Sequence, residues 1–248
     1  MTHDFAGQVA LVNAAAGSGI GAAIVRAFLA RGARVMATDL SASRIARLHE
    51  ALSVQYDTSR FATRVADAGD EASVADAIAA TVATFGCLDL LVNNVGFNRL
   101  TSLAETGLAD WRAVLDTSLT AHFLHIKHAW PHLLVSDAAS VVNIASLAGE
   151  APTAMGEAAY AAAKAGVLGL TRAAAAEGAP RIRVNAVMPG LIWNKNLSRG
   201  VAEDYIEAYR SRSPLGRAGT PDEVAEVVMF LCSAASTHVS GSVVRVAC

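Results

Sequence analysis

Val9-Ala10-Leu11-Val12-Asn13-Ala14-Ala15-Ala16-Gly17-Ser18-Gly19-Ile20-Gly21-Ala22-Ala23-Ile24-Val25-Arg26-Ala27-Phe28 runs from an apolar β-branched segment, through a glycine-rich turn, into residues with helical spacing. A strand feeding a helix through such a turn is the start of a βαβ unit, which demands a parallel sheet. Glycines let the backbone turn tightly and approach a phosphate, and the amides that open the helix carry the positive end of its dipole. Asn13, Gly17, Ser18, Gly19, Ile20 and Gly21 are therefore candidate contacts for a dinucleotide. A glycine-rich turn with no ligand is the plain alternative for this stretch taken alone.

The next apolar run, 34–39, ends at Asp39, 18 residues beyond Gly21. A carboxylate there accepts the hydroxyls of an adenosine ribose and repels a 2′-phosphate, which favours NAD. No Arg or Lys stands in the glycine loop or directly after Asp39, so the usual phosphate counter-charge is missing. The competing role for Asp39 is a helix cap or a solvated turn residue.

Further out, short apolar runs at 88–93, 140–145, 183–187 and 242–246, with a weaker one at 60–65, alternate with helical patterns. The helices are expected at 21–31, 42–51, 71–85, 108–134, 157–177 and 221–233. This pattern predicts a Rossmann-type α/β fold: one doubly wound, parallel, seven-stranded sheet with helices on both faces. No linker, repeat or low-complexity tract divides residues 1–248, so a single domain is expected. Residues 191–214 break the alternation directly after a strand and read as a substrate-binding lid.

Composition agrees with a buried core: 53% of the 248 residues are hydrophobic and 17% charged. A net charge of −2 with no basic cluster argues against nucleic acid as a partner. No apolar run reaches the roughly 20 residues that span a bilayer, and the first residues lack a signal-peptide pattern. A cytoplasmic protein with no membrane partner is the expectation. Cys87, Cys232 and Cys248 are too few and too scattered for a disulfide framework or a metal knuckle.

Tyr160-Ala161-Ala162-Ala163-Lys164 puts a phenol and an ammonium at i and i+4 on one helix face. A free phenol titrates near ~10, and a fixed cation beside it favours the phenolate. Alone, such a pair is an everyday surface contact. Upstream, Val141-Val142-Asn143-Ile144-Ala145-Ser146 reads as a strand delivering a hydroxyl at its carboxyl end, the edge where this architecture binds ligands.

With these residues in view, the chain resembles the short-chain dehydrogenase/reductase family over nearly its whole length. The resemblance rests on the glycine loop, Asp39, Asp67, Asn93-Asn94-Val95-Gly96, Ser146 and Tyr160-x3-Lys164. It continues through Arg183-Val184-Asn185-Ala186-Val187-Met188-Pro189-Gly190 and Pro214-Leu215-Gly216-Arg217. Each motif is weak alone, whereas their order and spacing together are specific. The resemblance implies that Tyr160 is the general acid/base, that Ser146 orients the substrate oxygen, and that Lys164 lowers the Tyr160 pKa and holds the nicotinamide ribose. Hydride would pass between NAD(H) and the carbon of a small carbonyl or secondary alcohol substrate. It further implies cofactor contacts at Leu40, Asp67, Ala68, Asn94, Pro189, Gly190, Ile192 and Asn194, and a homodimer or homotetramer.

Several positions depart from the family pattern. The family's Thr-Gly opening of the loop is replaced either by Asn13-Ala14, in a loop one residue longer, or by Ala14-Ala15, and an alanine at the glycine position crowds any backbone with positive φ. Ser118 replaces an asparagine that helps hold a water in the proton path to the lysine, and is carried over as a fourth catalytic candidate. The interval from Ser146 to Tyr160 is one residue longer than is common, and Cys248 stands where relatives continue. The interval bears on specificity, whereas Ala14, Ser118 and the end at Cys248 motivate a rival reading, a catalytically weakened dinucleotide-binding protein serving as sensor, scaffold or partner subunit. His122, His125, His128 and His132 lack a completing carboxylate or cysteine, so they read as a polar helix face or subunit contact, with no metal site.

Overall fold

A computed structural model describes residues 4–152, 156–193, 207, 211 and 213–247. The strands are β1 (Val9–Val12), β2 (Arg34–Asp39), β3 (Phe61–Val65), β4 (Leu90–Asn93), β5 (Ser140–Ile144), β6 (Arg183–Pro189) and β7 (Val243–Val246). They form one seven-stranded sheet in the order β3-β2-β1-β4-β5-β6-β7, parallel at every pairing. The α-helices among the described residues are α1 (Ile20–Ala30), α2 (Ala42–Ser53), α3 (Glu71–Phe85), α4 (Leu108–Leu115), α5 (Ala121–Leu133), α6 (Ala158–Gly178) and α7 (Pro221–Cys232).

Alternation along each strand explains the two layers. On β1, Ala10 and Val12 pack with Ile24 and Phe28 of α1 and Val224 and Val228 of α7. Val9 and Leu11 turn the other way, to Ile78 and Phe85 of α3 and Ile126 and Leu133 of α5. Central strands are thus apolar on both faces, as a sheet covered on both sides requires. Removing one such side chain, Phe28→Ala for example, carries the usual cavity cost of about 3–5 kcal/mol.

Helix starts follow their caps. Ser41 accepts from the Arg44 amide, Asp70 from the Ser73 amide, and Thr220 with Glu223 forms a capping box ahead of α7. The weakest expected strand is β3, an edge strand in which only Phe61 is buried. The helix expected over 108–134 is interrupted: a π-helical turn, Asp116–Thr120, joins α4 to α5 and carries Ser118.

Two histidines correct the expectation of a polar helix face. His122 and His125 point into the core, donating to the carbonyls of Val95 (3.0 Å) and Ala121 (2.8 Å). Burial pulls the His122 imidazole well below its ordinary pKa and the His125 imidazole down to about 4, so both are neutral. His128 lies at the surface, 3.0 Å from Glu71. Among the described residues no helix is long and apolar enough to cross a membrane, and no three His, Cys, Asp or Glu cluster as metal ligands.

Strand order reverses at β1, whose neighbours are β2 and β4, so their carboxyl ends part and leave a crevice.

Candidate active site

Two cavities open along that edge. One, of about 540 Å³, is lined by Ala14, Asp39, Leu40, Arg44, Asp67, Ala68 and Gly96, among others. The second, of about 370 Å³, is lined by Ile20, Asn94, Gly96, Ser146, Tyr160, Lys164, Pro189, Gly190 and Ile192, among others. They meet at Gly96, where an added Cβ would lie 3.2 Å from the Lys164 Nζ. Gly96 thus lines both spaces, which lie side by side along the edge.

The glycine loop is held by packing and by asparagines. A Cβ on Gly21 would sit 2.5 Å from the Ala14 carbonyl and 2.6 Å from the Asn94 Nδ2, so only glycine lets the loop close onto α1. Gly17 has φ +117°, and Gly19 starts α1 with no side chain on the helix amides. Ala14 takes φ +47°, the crowded conformation its sequence position foretold. Gly17, Ser18 and Gly19 stand in the loop outside both linings.

Asn13 turns inward instead of toward a ligand. Its Oδ1 accepts from the Asn94 and Val95 amides, 2.8 Å each, and its Nδ2 donates to Asn93 Oδ1 at 2.8 Å. Asn93 then donates to Asn143 Oδ1 (2.9 Å), and Asn143 to Thr171 Oγ1 (3.0 Å). This buried polar ladder crosses β1, β4, β5 and α6 and fixes the turn after β4.

Ser146, just beyond β5, shares the second cavity with Tyr160, and its hydroxyl pulls the phenol pKa down. Below it, Gly149 rests on α6 so closely that a Cβ would lie 2.7 Å from the backbone of Lys164 and Ala165. Lys164 is buried; its Nζ donates to the Ile144 carbonyl (2.9 Å) and the Val95 carbonyl (3.3 Å) and lies 5.8 Å from the Tyr160 ring centroid. Val95 O also accepts from His122, a neighbour that the sequence reading did not bring to the lysine.

Electrostatics here differ from the sequence expectation. Burial pulls Lys164 down to about 7, leaving it about half charged at neutral pH. Burial pushes the Tyr160 phenol up, the Ser146 hydroxyl pulls it down, and the Glu157 carboxylate pushes it up. The phenol therefore keeps its proton at neutral pH.

Ser118 is buried and spent on the turn after β4. Its Oγ accepts from the Phe97 amide and donates to the Phe97 carbonyl, 2.9 Å each. Its single proton is thereby committed away from Lys164. Asn194 and most of the expected lid at 191–214 lie outside the described residues, while Ile192 borders the second cavity and bridges to Gly219.

At the other end, Asp39 is almost fully buried and accepts from the amides of Ala16 (3.2 Å) and Ser41 (3.0 Å). Arg44 also reaches it, with Nη2 2.8 Å from Oδ1. Sequence reading missed this cation because it sought one directly after Asp39. One turn into α2, position i+5 folds back over the strand end. The residues fit a dinucleotide: a loop that only glycine closes, uncapped helix amides, a carboxylate at the end of β2, and a glycine, Gly96, shared by its cavity and that of the hydroxyl, phenol and ammonium.

Residues 14–248 match the family model described as enoyl-(acyl carrier protein) reductase. Over 99% of this chain and 97% of the relative, the sequence is 40% identical to cis-4-hydroxycyclohexanecarboxylate dehydrogenase of Sinomonas cyclohexanicum. It is 38% identical to D-threitol dehydrogenase of Mycolicibacterium smegmatis, over 95% of this chain and 90% of that one. A crystal structure from Brucella melitensis, titled as a short-chain dehydrogenase/reductase of the glucose/ribitol dehydrogenase type, superposes with a TM-score of 0.92. It is 32% identical, covering 99% of this chain and 97% of the other.

Proposed function

The chain belongs to the short-chain dehydrogenase/reductase family, and from that premise we propose that it is an NAD(H)-dependent oxidoreductase interconverting a secondary alcohol and a ketone. The observation that carries this reading is the meeting of Ser146, Tyr160 and Lys164 in one cavity, beside the cavity of Asp39 and sharing Gly96 with it.

When bound, the nicotinamide supplies or accepts the hydride. Tyr160 donates its phenolic proton to the carbonyl oxygen in reduction and recovers it from the alcohol in oxidation. Because burial keeps the phenol protonated, the resting site is set for reduction, and oxidation gains as pH rises. Ser146 hydrogen-bonds the same oxygen and orients it. Lys164 holds the nicotinamide ribose hydroxyls, and in its charged form lowers the cost of the phenolate. Ser118 is a positioning residue that holds the turn at Phe97.

Gly17, Ser18, Gly19, Ile20 and Gly21 bring the amides of α1 to the pyrophosphate, and Asp39 accepts the adenosine ribose hydroxyls. Leu40, Asp67 and Ala68 border the adenine, while Asn94, Pro189, Gly190, Ile192 and Asn194 border the nicotinamide end. The substrate is a small, modestly polar ketone or alcohol. Ring-borne alcohols head the panel, in keeping with the relative that acts on a hydroxycyclohexanecarboxylate. A single domain acting as a cytoplasmic homodimer or homotetramer completes the proposal, and light scattering reads its size.

The test is fluorescence titration with NADH, followed by cofactor absorbance against ketone and alcohol panels. Tyr160→Phe is expected to cut turnover by about 10²–10⁴-fold while NADH affinity stays nearly constant. Retained turnover in that variant removes Tyr160 from the proton step. NADH binding without turnover on any panel supports the non-catalytic alternative instead.

A further inference from the structure

The Val95 carbonyl serves two donors. Lys164 Nζ reaches it from α6 at 3.3 Å, and His122 Nε2 reaches it from α5 at 3.0 Å. The other bond of Lys164, to the Ile144 carbonyl, is shorter at 2.9 Å. Both side chains are buried. Four residues upstream of His122, Ser118 holds the Phe97 backbone, so the two side chains together fasten the turn 95–97 and set Gly96 beside the Lys164 Nζ.

A carbonyl oxygen has two lone pairs and no proton, so the ring nitrogen that meets it must be the donor. His122 is neutral, which puts its single ring proton on Nε2. Electron density drawn toward one donor is less available to the other, and the longer bond falls to Lys164. The groups facing His122 are Lys164 from α6, His125 on its own helix and the Asn143 amide from β5. Lys164 in turn faces Tyr160, whose phenol feels the Glu157 carboxylate.

We propose that His122 is a positioning residue for Lys164: its N–H takes up one lone pair of the Val95 carbonyl, loosens the hold of that carbonyl on the ammonium, and so leaves Lys164 free to turn toward the dinucleotide ribose and the phenol. The proposal rests on the dinucleotide reading above and adds to it a residue from outside both cavity linings. Without the imidazole, the carbonyl serves Lys164 alone and favours its charged form.

The chain has three lysines, Lys127, Lys164 and Lys195, so NMR of the intact protein labelled with ¹³C-lysine follows Lys164 directly, its signal identified by its loss in Lys164→Met. His122→Leu is expected to raise the Lys164 titration midpoint by about 0.5–1 unit and to weaken NADH binding by about threefold or more. His122→Gln, whose amide N–H stands in for that of the ring, should keep the midpoint within about 0.3 unit of wild type. In the wild type, ¹⁵N NMR should find the His122 proton on Nε2 from about pH 6 to 9. A proton on Nδ1 overturns the proposal even where His122→Leu does not fold. So does a Lys164 midpoint or an NADH affinity unmoved in His122→Leu, or a midpoint moved equally in His122→Gln, since a histidine that only fills space would lower urea midpoints and leave the lysine titration in place. Those outcomes, with NADH still bound by wild type, leave the dinucleotide reading intact. A wild type that binds no NADH overturns both.

Discussion

Ala14 holds φ +47° in the glycine loop, a conformation that costs an L-residue with a Cβ roughly 1–2 kcal/mol. Ala14→Gly removes that strain but adds freedom to the unfolded chain, so a net gain of roughly 0.5–1 kcal/mol is expected. Thermal melting reads it as a rise of a few degrees, and an unchanged or lower midpoint would mean the loop carries no strain there. The strain was legible in the sequence, because an alanine at a glycine position announces it. Arg44 was not, since proximity to Asp39 depends on how α2 leaves the strand. The inward turn of Asn13 was also hidden: an amide beside a glycine loop suits a ligand or a neighbouring backbone equally well.

Among the elements, the π-helical turn between α4 and α5 exerts its influence through one hydroxyl. Ser118→Ala leaves the Phe97 amide and carbonyl without that partner and is expected to cost about 1–3 kcal/mol. Chemical denaturation measures the loss, and a variant as stable as wild type would show that water replaces the hydroxyl fully. No hydrophobic spacing marks a π turn, which is why residues 108–134 read as one helix. The sheet was better announced, because β1 is apolar throughout and the central strands around it carry short apolar runs at 35–37, 90–92 and 141–142, as buried parallel strands must. At the edge, β3 keeps only Phe61 buried, so its pattern is faint. His122 and His125 lie on a helix whose inward face is mostly apolar, and a neutral imidazole in such a face cannot be told by type from an exposed one.

For the molecule as a whole, these buried bases set the response to pH. The folded pKa of Lys164, about 7, is below its ordinary 10.5, so above pH 7 the unfolded chain holds a proton that the native state has released. Stability therefore rises with pH from about 7 to 9, with a slope approaching about 1.4 kcal/mol per pH unit. His122 and His125 act in the same sense lower down: their folded pKa values are depressed, so stability falls as pH drops from 6.5 toward 4. Urea midpoints across pH 4–9 should trace both limbs, and Lys164→Met should flatten the upper one and, because the Lys164 charge also helps depress His122, soften the lower one. An upper limb that survives in that variant would assign it to another group. The asparagine seam from Asn13 through Asn93 and Asn143 to Thr171 has its own consequence at this scale. Slippage of β4 against β5 by a single residue would turn Asn93 away from Asn143 and strand both amides in hydrocarbon. Mutual recognition of like side chains thus proofreads strand alignment during assembly, penalising a sheet that zips up out of phase.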